Sequence, residues 1–285
     1  MVERLRNAIA QARASREGRS LPGTRGPSVD AISPRSGFSG AAWQALTPWV
    51  PAQRQLEAVR VVTTDLRADA APFDLMRTKI LQQMRANGWR RLAVTSPSAS
   101  CGKSTVALNL AFSLGRQEEL FTILIGSDMR RPSLYKMLQF EDQMQVSEVL
   151  AGRAELSDHA RRYGNNLAIA TNCRHVANPS ELIQSHTTPQ ALDRIEALYQ
   201  PDLIVFDTAP VLVSDDTLAL ASHVDCMLII VAAEETPIKE IDLCERELAE
   251  RTNVMGVVVN KARFSSTEYG YGYGYGPAAG GAERG

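Results

Sequence analysis

The sequence predicts an α/β fold with a doubly wound, mostly parallel sheet flanked by helices, and three observations support this. From about residue 56 onward, apolar runs of strand length alternate with segments of helical spacing. One such run, Leu92 to Val94, passes through a tight loop, SPSASCGKST at 96–105, directly into an amphipathic helix. Two others end on acidic segments: TILI runs into Gly126-Ser127-Asp128, and LIVF runs into Asp207. The carboxyl edge of a parallel sheet is where such folds hold their ligands.

Taken in order, the chain divides into three parts. Residues 1–55 read as a largely disordered arm and linker with one short helix over 2–16, where Val2, Leu5, Ile9 and Ala12 share a side among arginines. So short a helix is marginal alone, and it is either a docking element for a partner or membrane surface or a frayed arm. Residues 17–40 have a Gly, Ser, Pro and Arg composition without apolar period, and Trp43 and Trp49 are points where the arm could rest on the body. Residues 56–264 read as one catalytic domain and 265–285 as a flexible tail.

Within the domain, Phe73, Met76, Ile80, Leu81 and Met84 fall on one face of a helix over 72–86. A strand over 91–95, the loop, and a helix over 103–115 follow. Phe121 to Ile125 reads as a second buried strand, and Pro132 opens a helix containing Leu134, Met137 and Leu138. Leu167 to Ala170 is a short strand, and Pro179 opens the helix SELIQS. A helix over 188–199 leads to the strand Leu203 to Phe206. Strands at Met227–Ala232 and Val254–Val259 enclose a helix over 238–251.

The loop carries the chemistry. Gly102-Lys103-Ser104 ends it as a phosphate-binding P-loop ends, although Pro97 stands where the full motif has its first glycine. Backbone N–H groups across Ser100, Cys101, Gly102, Lys103, Ser104 and Thr105 can wrap a phosphate, and the new helix turns its positive end toward it. The Lys103 ammonium reaches the β- and γ-phosphates of a nucleotide such as ATP, and the Ser104 hydroxyl can ligate Mg²⁺. Asp207 and Asp128, leaving strand ends beside this loop, are placed to hold Mg²⁺ directly or through water. The bland alternative for each carboxylate is a helix N-cap or a solvated turn. The fold expected is therefore P-loop NTPase-like. Cys101 lies inside the loop at a helix N-terminus, where a thiol is either a redox switch or an inert backbone donor position.

Composition bounds the setting. The 285 residues are 44% hydrophobic, enough for a real core, and a net charge of −1 gives no push toward nucleic acid or an anionic membrane. The four cysteines, Cys101, Cys173, Cys226 and Cys244, lack paired metal spacing and read as reduced thiols of a cytosolic protein. No apolar run approaches membrane-spanning length, and arginine and glutamate interrupt the first twenty residues where a secretory signal would need an apolar stretch.

The tail supplies the last observation. Tyr269, Tyr271, Tyr273 and Tyr275 alternate with glycine, so the rings sit on a tether too glycine-rich for a stable helix or strand. Beside a nucleotide site, these tyrosines read as phosphoacceptors. Together, SPSASCGKST, ILIGSDMRRP, VFDTAPV, NPSELI at 178–183 and the tyrosine cluster resemble the bacterial tyrosine kinases of polysaccharide synthesis, over roughly residues 60–276. The related partitioning ATPases carry an additional lysine where this chain has Ser98.

The resemblance implies an ATP-dependent protein-tyrosine autokinase regulating exopolysaccharide or capsule polymerisation or export. In it Lys103 binds the β/γ-phosphates, Ser104 and Asp207 organise Mg²⁺ together with Asp128, and Asp128 orients or deprotonates the acceptor hydroxyl. Arg130 lies in the same motif, and Asn260 falls near the nucleotide base. Implied partners are an inner-membrane polysaccharide co-polymerase or chain-length protein as activator, further copies of the chain, and a protein-tyrosine phosphatase. The implied location is the cytoplasm, with recruitment to the inner membrane.

Two departures stand out. The family's Asp-x-Asp-x-Arg has Gly126 at its first acid, and its Glu-x-x-Arg-x-x-Arg helix reads Ala71, Asp74, Arg77. Losing one preorganised charge can cost on the order of 10²–10³ in rate. A second reading follows, in which the chain is a P-loop ATPase switch with weak or no phosphotransfer that acts by nucleotide-dependent association. A third is a scaffold without nucleotide affinity.

Overall fold

The computed structural model describes residues 38–64 and 68–262. The expected helix at 2–16 and the tyrosines at 269–275 lie outside them.

Eight strands form one sheet, in the order β1-β4-β5-β3-β6-β2-β7-β8. These are β1 (Thr47–Pro48), β2 (Arg91–Thr95), β3 (Thr122–Gly126), β4 (Ala160–Tyr163), β5 (Leu167–Ala170), β6 (Leu203–Asp207), β7 (Cys226–Ala232) and β8 (Asn253–Asn260). Every neighbouring pair is parallel except β4 with β5. Consecutive residues of the central strands point to opposite faces and are buried on both, which explains their unbroken apolar runs. Ala93, Ile123, Ile125, Ile204, Phe206 and Ile229 enter one core. Leu92, Val94, Leu124, Val205, Leu228 and Ile230 enter the other.

Helices cover both faces. α1 (Phe38–Ala45), α6 (Val146–Leu150), α9 (Thr187–Tyr199), α10 (Asp216–Leu220) and α11 (Ile238–Ala249) supply the first core. α2 (Gln53–Ala58), α3 (Ala71–Asn87), α4 (Lys103–Gly115) and α5 (Ser133–Met137) supply the second. α7 (Leu156–His159) and α8 (Pro179–Gln184) complete the set. On α3 the expected face is inward: Ile80, Leu81 and Met84 are buried, and Phe73 and Met76 pack against the same core. Gly88 at φ 67° ends this helix with a left-handed cap.

Besides the short α10, which the sequence reading lacks, the structure departs from that reading in two places. Residues 38–55, assigned to the arm, form α1, β1 and the start of α2 in the folded body. Trp43 is 2% exposed, donates its indole N–H to Tyr199 O at 2.8 Å, and meets Phe121 and Tyr199 edge-on. Replacing Trp43 with alanine should cost about 3–5 kcal/mol of stability, read as a shifted midpoint in denaturant unfolding. The second departure is β4, with α6 and α7 before it. Its sequence ARRY carries two arginines, and it lies between β1, to which it is parallel, and β5, to which it is antiparallel.

Candidate active site

Because β2, β3, β5, β6, β7 and β8 share one direction, their carboxyl ends open onto a common edge. Register fixes what meets there. Val94 on β2 and Gly126 on β3 both lie opposite Asp207 on the intervening β6. The backbone carbonyl of Asp207 accepts hydrogen bonds from the N–H groups of Ser127 and Asp128 at 2.8 and 3.0 Å. The Ser127 hydroxyl donates to that carbonyl as well, at 3.0 Å. The two acidic loops are thereby tied together.

The P-loop forms as its sequence requires. Ser100 and Gly102 take positive φ, 65° and 87°, bending the chain before α4 begins at Lys103. A Cβ on Gly102 would collide with the Asn260 side-chain amide, so glycine is demanded both by conformation and by space. Asn260 ends β8 and donates its amide to Cys101 O at 2.9 Å, so in this structure it braces the P-loop backbone. Cys101 is buried, with its sulfur near Ser98 O and Thr236 Oγ1 at 3.4 and 3.6 Å, which supports the inert reading of that thiol. Thr105 is half-buried in the first turn of α4, where its carbonyl accepts from Asn109 Nδ2 at 2.9 Å.

Lys103 joins the two aspartates. Its ammonium donates to Asp128 Oδ2 at 3.0 Å and stands 3.9 Å from Asp207 Oδ1. Burial works to lower the lysine pKa, but the charges of Asp207 and Asp128 together outweigh it and hold it above its ordinary value. At Asp207 burial pushes the carboxyl pKa up, against the pull of Lys103 and the nearby Ser104 hydroxyl. The close hydrogen bond of Ser104 is to Ser133 Oγ, at 2.9 Å. Asp128 accepts the backbone N–H of Arg131 at 3.1 Å through its other oxygen.

Both carboxylate oxygens of Asp207 are buried without a hydrogen-bond partner among the described residues. Such a group is costly to leave unpaired. A buried carboxylate facing a second carboxylate, a serine hydroxyl and a P-loop is the donor set that a divalent cation with a nucleotide phosphate requires. The residues present fit that ion.

The remaining motif residues are engaged within the chain. Arg130 pairs with the buried Asp216 through two contacts, at 2.8 and 3.1 Å, and with Asp215 at 3.6 Å. Neither aspartate was singled out in the sequence, because 86 residues separate Arg130 from Asp216. On α3, Asp74 accepts from Arg116 and from Ser113 Oγ, each at 2.7 Å, while Arg77 donates to Ser113 O at 2.9 Å. These charges bind α3 to α4. Gly126 has no room for a side chain: a Cβ there would lie 2.7 Å from Thr171 Oγ1 and 3.3 Å from Leu134 Cδ1.

Fold and site together define a P-loop NTPase-like α/β domain. Comparison with known proteins narrows the class. The chain is 29% identical over 196 residues to the tyrosine-protein kinase ptk of Acinetobacter johnsonii, covering 68% of this chain and 26% of that one. It is 25% identical over 220 residues to the tyrosine-protein kinase YwqD of Bacillus subtilis, covering 76% of this chain and 92% of that one. The solved kinase domain of VpsO superposes with a TM-score of 0.61 at 26% identity, over 74% of this chain and all of that one. No protein-family model matches the chain. The chain is thus similar to bacterial tyrosine-protein kinases in sequence and in fold. It spans about a quarter of the length of the first curated relatives it matches.

Proposed function

We propose that this chain is an ATP-dependent protein-tyrosine autokinase of the exopolysaccharide or capsule type, with Tyr269, Tyr271, Tyr273 and Tyr275 as acceptors. The observation that carries the reading is Lys103 held between Asp128 and a buried Asp207 that has no hydrogen-bond partner among the described residues, at the mouth of a P-loop. Lys103 and the backbone from Ser100 to Thr105 would hold the nucleotide phosphates. Ser104, Asp207 and Asp128 would hold magnesium, which supplies positive charge against the phosphate oxygens.

Before nucleotide arrives, the lysine satisfies Asp128. Its transfer to phosphate would release that carboxylate to orient the incoming phenol and accept its proton. Asn260 and the paired positive-φ residues of the loop would keep the N–H cradle preformed, limiting reorganisation on binding. Arg130, fixed by Asp216, would place a cation beside the loop that carries Asp128.

The acceptor tail begins only about ten residues beyond β8. A random-coil chain of that length would span under ~20 Å r.m.s., which would let an acceptor visit a site on its own or a neighbouring chain at about millimolar effective concentration. Each phosphate adds about −1.5 to −2 charges, so a modified tail would repel its neighbours and loosen assembly. The further elements of the reading are a membrane chain-length protein as activator, self-association, an opposing tyrosine phosphatase, and recruitment from the cytoplasm to the inner membrane. No helix among the described residues is long and apolar enough to cross a membrane, which is compatible with recruitment by a partner.

Incubation with γ-labelled ATP and magnesium tests the proposal. Label should appear on Tyr269–Tyr275 by mass spectrometry and vanish in Lys103→Met. Label released only as free phosphate would favour the ATPase switch, the reading that Gly126 supports.

A further inference from the structure

Thr171 follows β5 at the same sheet edge, one position beyond Ala170, which lies opposite Ile125 of β3. That register sets Thr171 beside Gly126. The residue is fully buried, yet its hydroxyl has no hydrogen-bond partner among the described residues. Its neighbour Asn172 is fully employed, donating to Gly126 O at 3.2 Å and accepting from Ser147 N at 3.0 Å. A buried hydroxyl without a partner opposes folding, and valine would fill the same volume without that cost.

The position of the hydroxyl suggests its use. Thr171 Oγ1 lies 2.7 Å from the place a Cβ on residue 126 would occupy. The oxygens of an aspartate lie about 2.4 Å from its own Cβ by ordinary bond geometry. The threonine oxygen therefore stands about as far from that Cβ as a carboxylate oxygen at 126 would, and Leu134 Cδ1 lies 3.3 Å from the same point. Where the resemblance implies an acid at 126, this chain has another oxygen close by.

We propose that Thr171 is a positioning residue that stands in for the acid absent at position 126, its hydroxyl bonding to an oxygen in the outer shell of the divalent cation held by Asp207, Asp128 and Ser104. This rests on the nucleotide-binding function proposed above. A neutral oxygen in place of a carboxylate gives the site one less negative charge and makes metal uptake depend on hydrogen bonding at this point. Partners of this kind commonly contribute 10–100-fold to metal affinity.

The test is calorimetric titration of ADP at varied magnesium into the wild type, Thr171→Val and Thr171→Ser, with thermal unfolding of each ligand-free protein. Thr171→Val should unfold at the same or a higher temperature yet need about tenfold more magnesium for half-maximal nucleotide binding, with metal-free binding unchanged. Thr171→Ser should restore the wild-type magnesium requirement. If Thr171→Val does not fold, Thr171→Ala compared with Thr171→Ser gives the same reading. A valine variant with unaltered magnesium dependence overturns the inference alone. A wild type that takes up no nucleotide at any magnesium concentration overturns it together with the function on which it rests.

Discussion

Asp207→Asn should make the ligand-free protein more stable while abolishing magnesium-dependent nucleotide binding. The carboxylate is fully enclosed, both its oxygens lack hydrogen-bond partners, and Lys103 stands 3.9 Å away. Neutralising it removes the desolvation cost of a buried charge, and Lys103 keeps its shorter bond to Asp128 at 3.0 Å. A gain is expected because the amide, unlike the carboxylate, carries no charge to desolvate.

The pH dependence follows from the direction of the shift. Burial raises the folded-state pKa of Asp207 above its unfolded value, so between the two the native chain holds the extra proton. The stability contributed by this group is full below the unfolded pKa and is lost as pH rises through the folded pKa. Lys103, also raised, adds a contribution that persists to alkaline pH and is lost above the ordinary lysine range. Asp207→Asn should flatten the acid-side part of this dependence, measured by denaturant unfolding between mildly acidic and neutral pH. A variant less stable than wild type at neutral pH would show that the aspartate is satisfied in a way the structure does not contain. The exchange of stability for binding is what a site preorganised for an absent cation should display.

Gly126→Asp should impair the protein. Restoring the family's acid looks from sequence like a repair, but its Cβ would approach Thr171 Oγ1 to 2.7 Å, Thr171 Cβ to 3.2 Å and Leu134 Cδ1 to 3.3 Å. Overpacking of that kind costs about 1–3 kcal/mol. It would also add a third carboxylate beside Asp128 and Asp207, with Lys103 the cation between them. The expected result is a lower unfolding midpoint and no gain in phosphotransfer. Combining Gly126→Asp with Thr171→Ala frees the space and should recover both stability and magnesium binding, a coupling that a double-mutant cycle would measure. A single Gly126→Asp variant that folds as well as wild type and transfers phosphate faster would contradict this account of the pocket.

The contrast between these two sites shows how much was legible in the sequence. Asp207 and the P-loop could be found because local pattern determines them: four apolar residues end on an acid, and a strand turns through Gly102-Lys103-Ser104 into a helix. Strand existence was equally legible, since β2, β3, β6 and β7 are buried on both faces and read as unbroken apolar runs. β4 was not. Its two arginines mask a strand whose Arg161 is paired with Asp142 at 2.7 Å, a contact that only the folded chain supplies. Trp43 gave a hint of stickiness but no sign that α1 belongs to the core, because its partners Phe121 and Tyr199 are distant in sequence. Position 126 was recognised as a departure, yet its physical reason lies in Thr171 and Leu134 on other elements. Residue roles that depend on a strand's own chemistry could be read; those that depend on which strand lies next to it could not.

The central claim is that one lysine and two aspartates at the sheet mouth take up a magnesium–nucleotide pair. Calorimetric titration of ATP into the full chain, with and without magnesium, tests it most directly. The account predicts saturable, magnesium-dependent binding that is lost in Lys103→Met while that variant remains folded. Undetectable uptake by the wild type, or undiminished uptake by Lys103→Met, would contradict it.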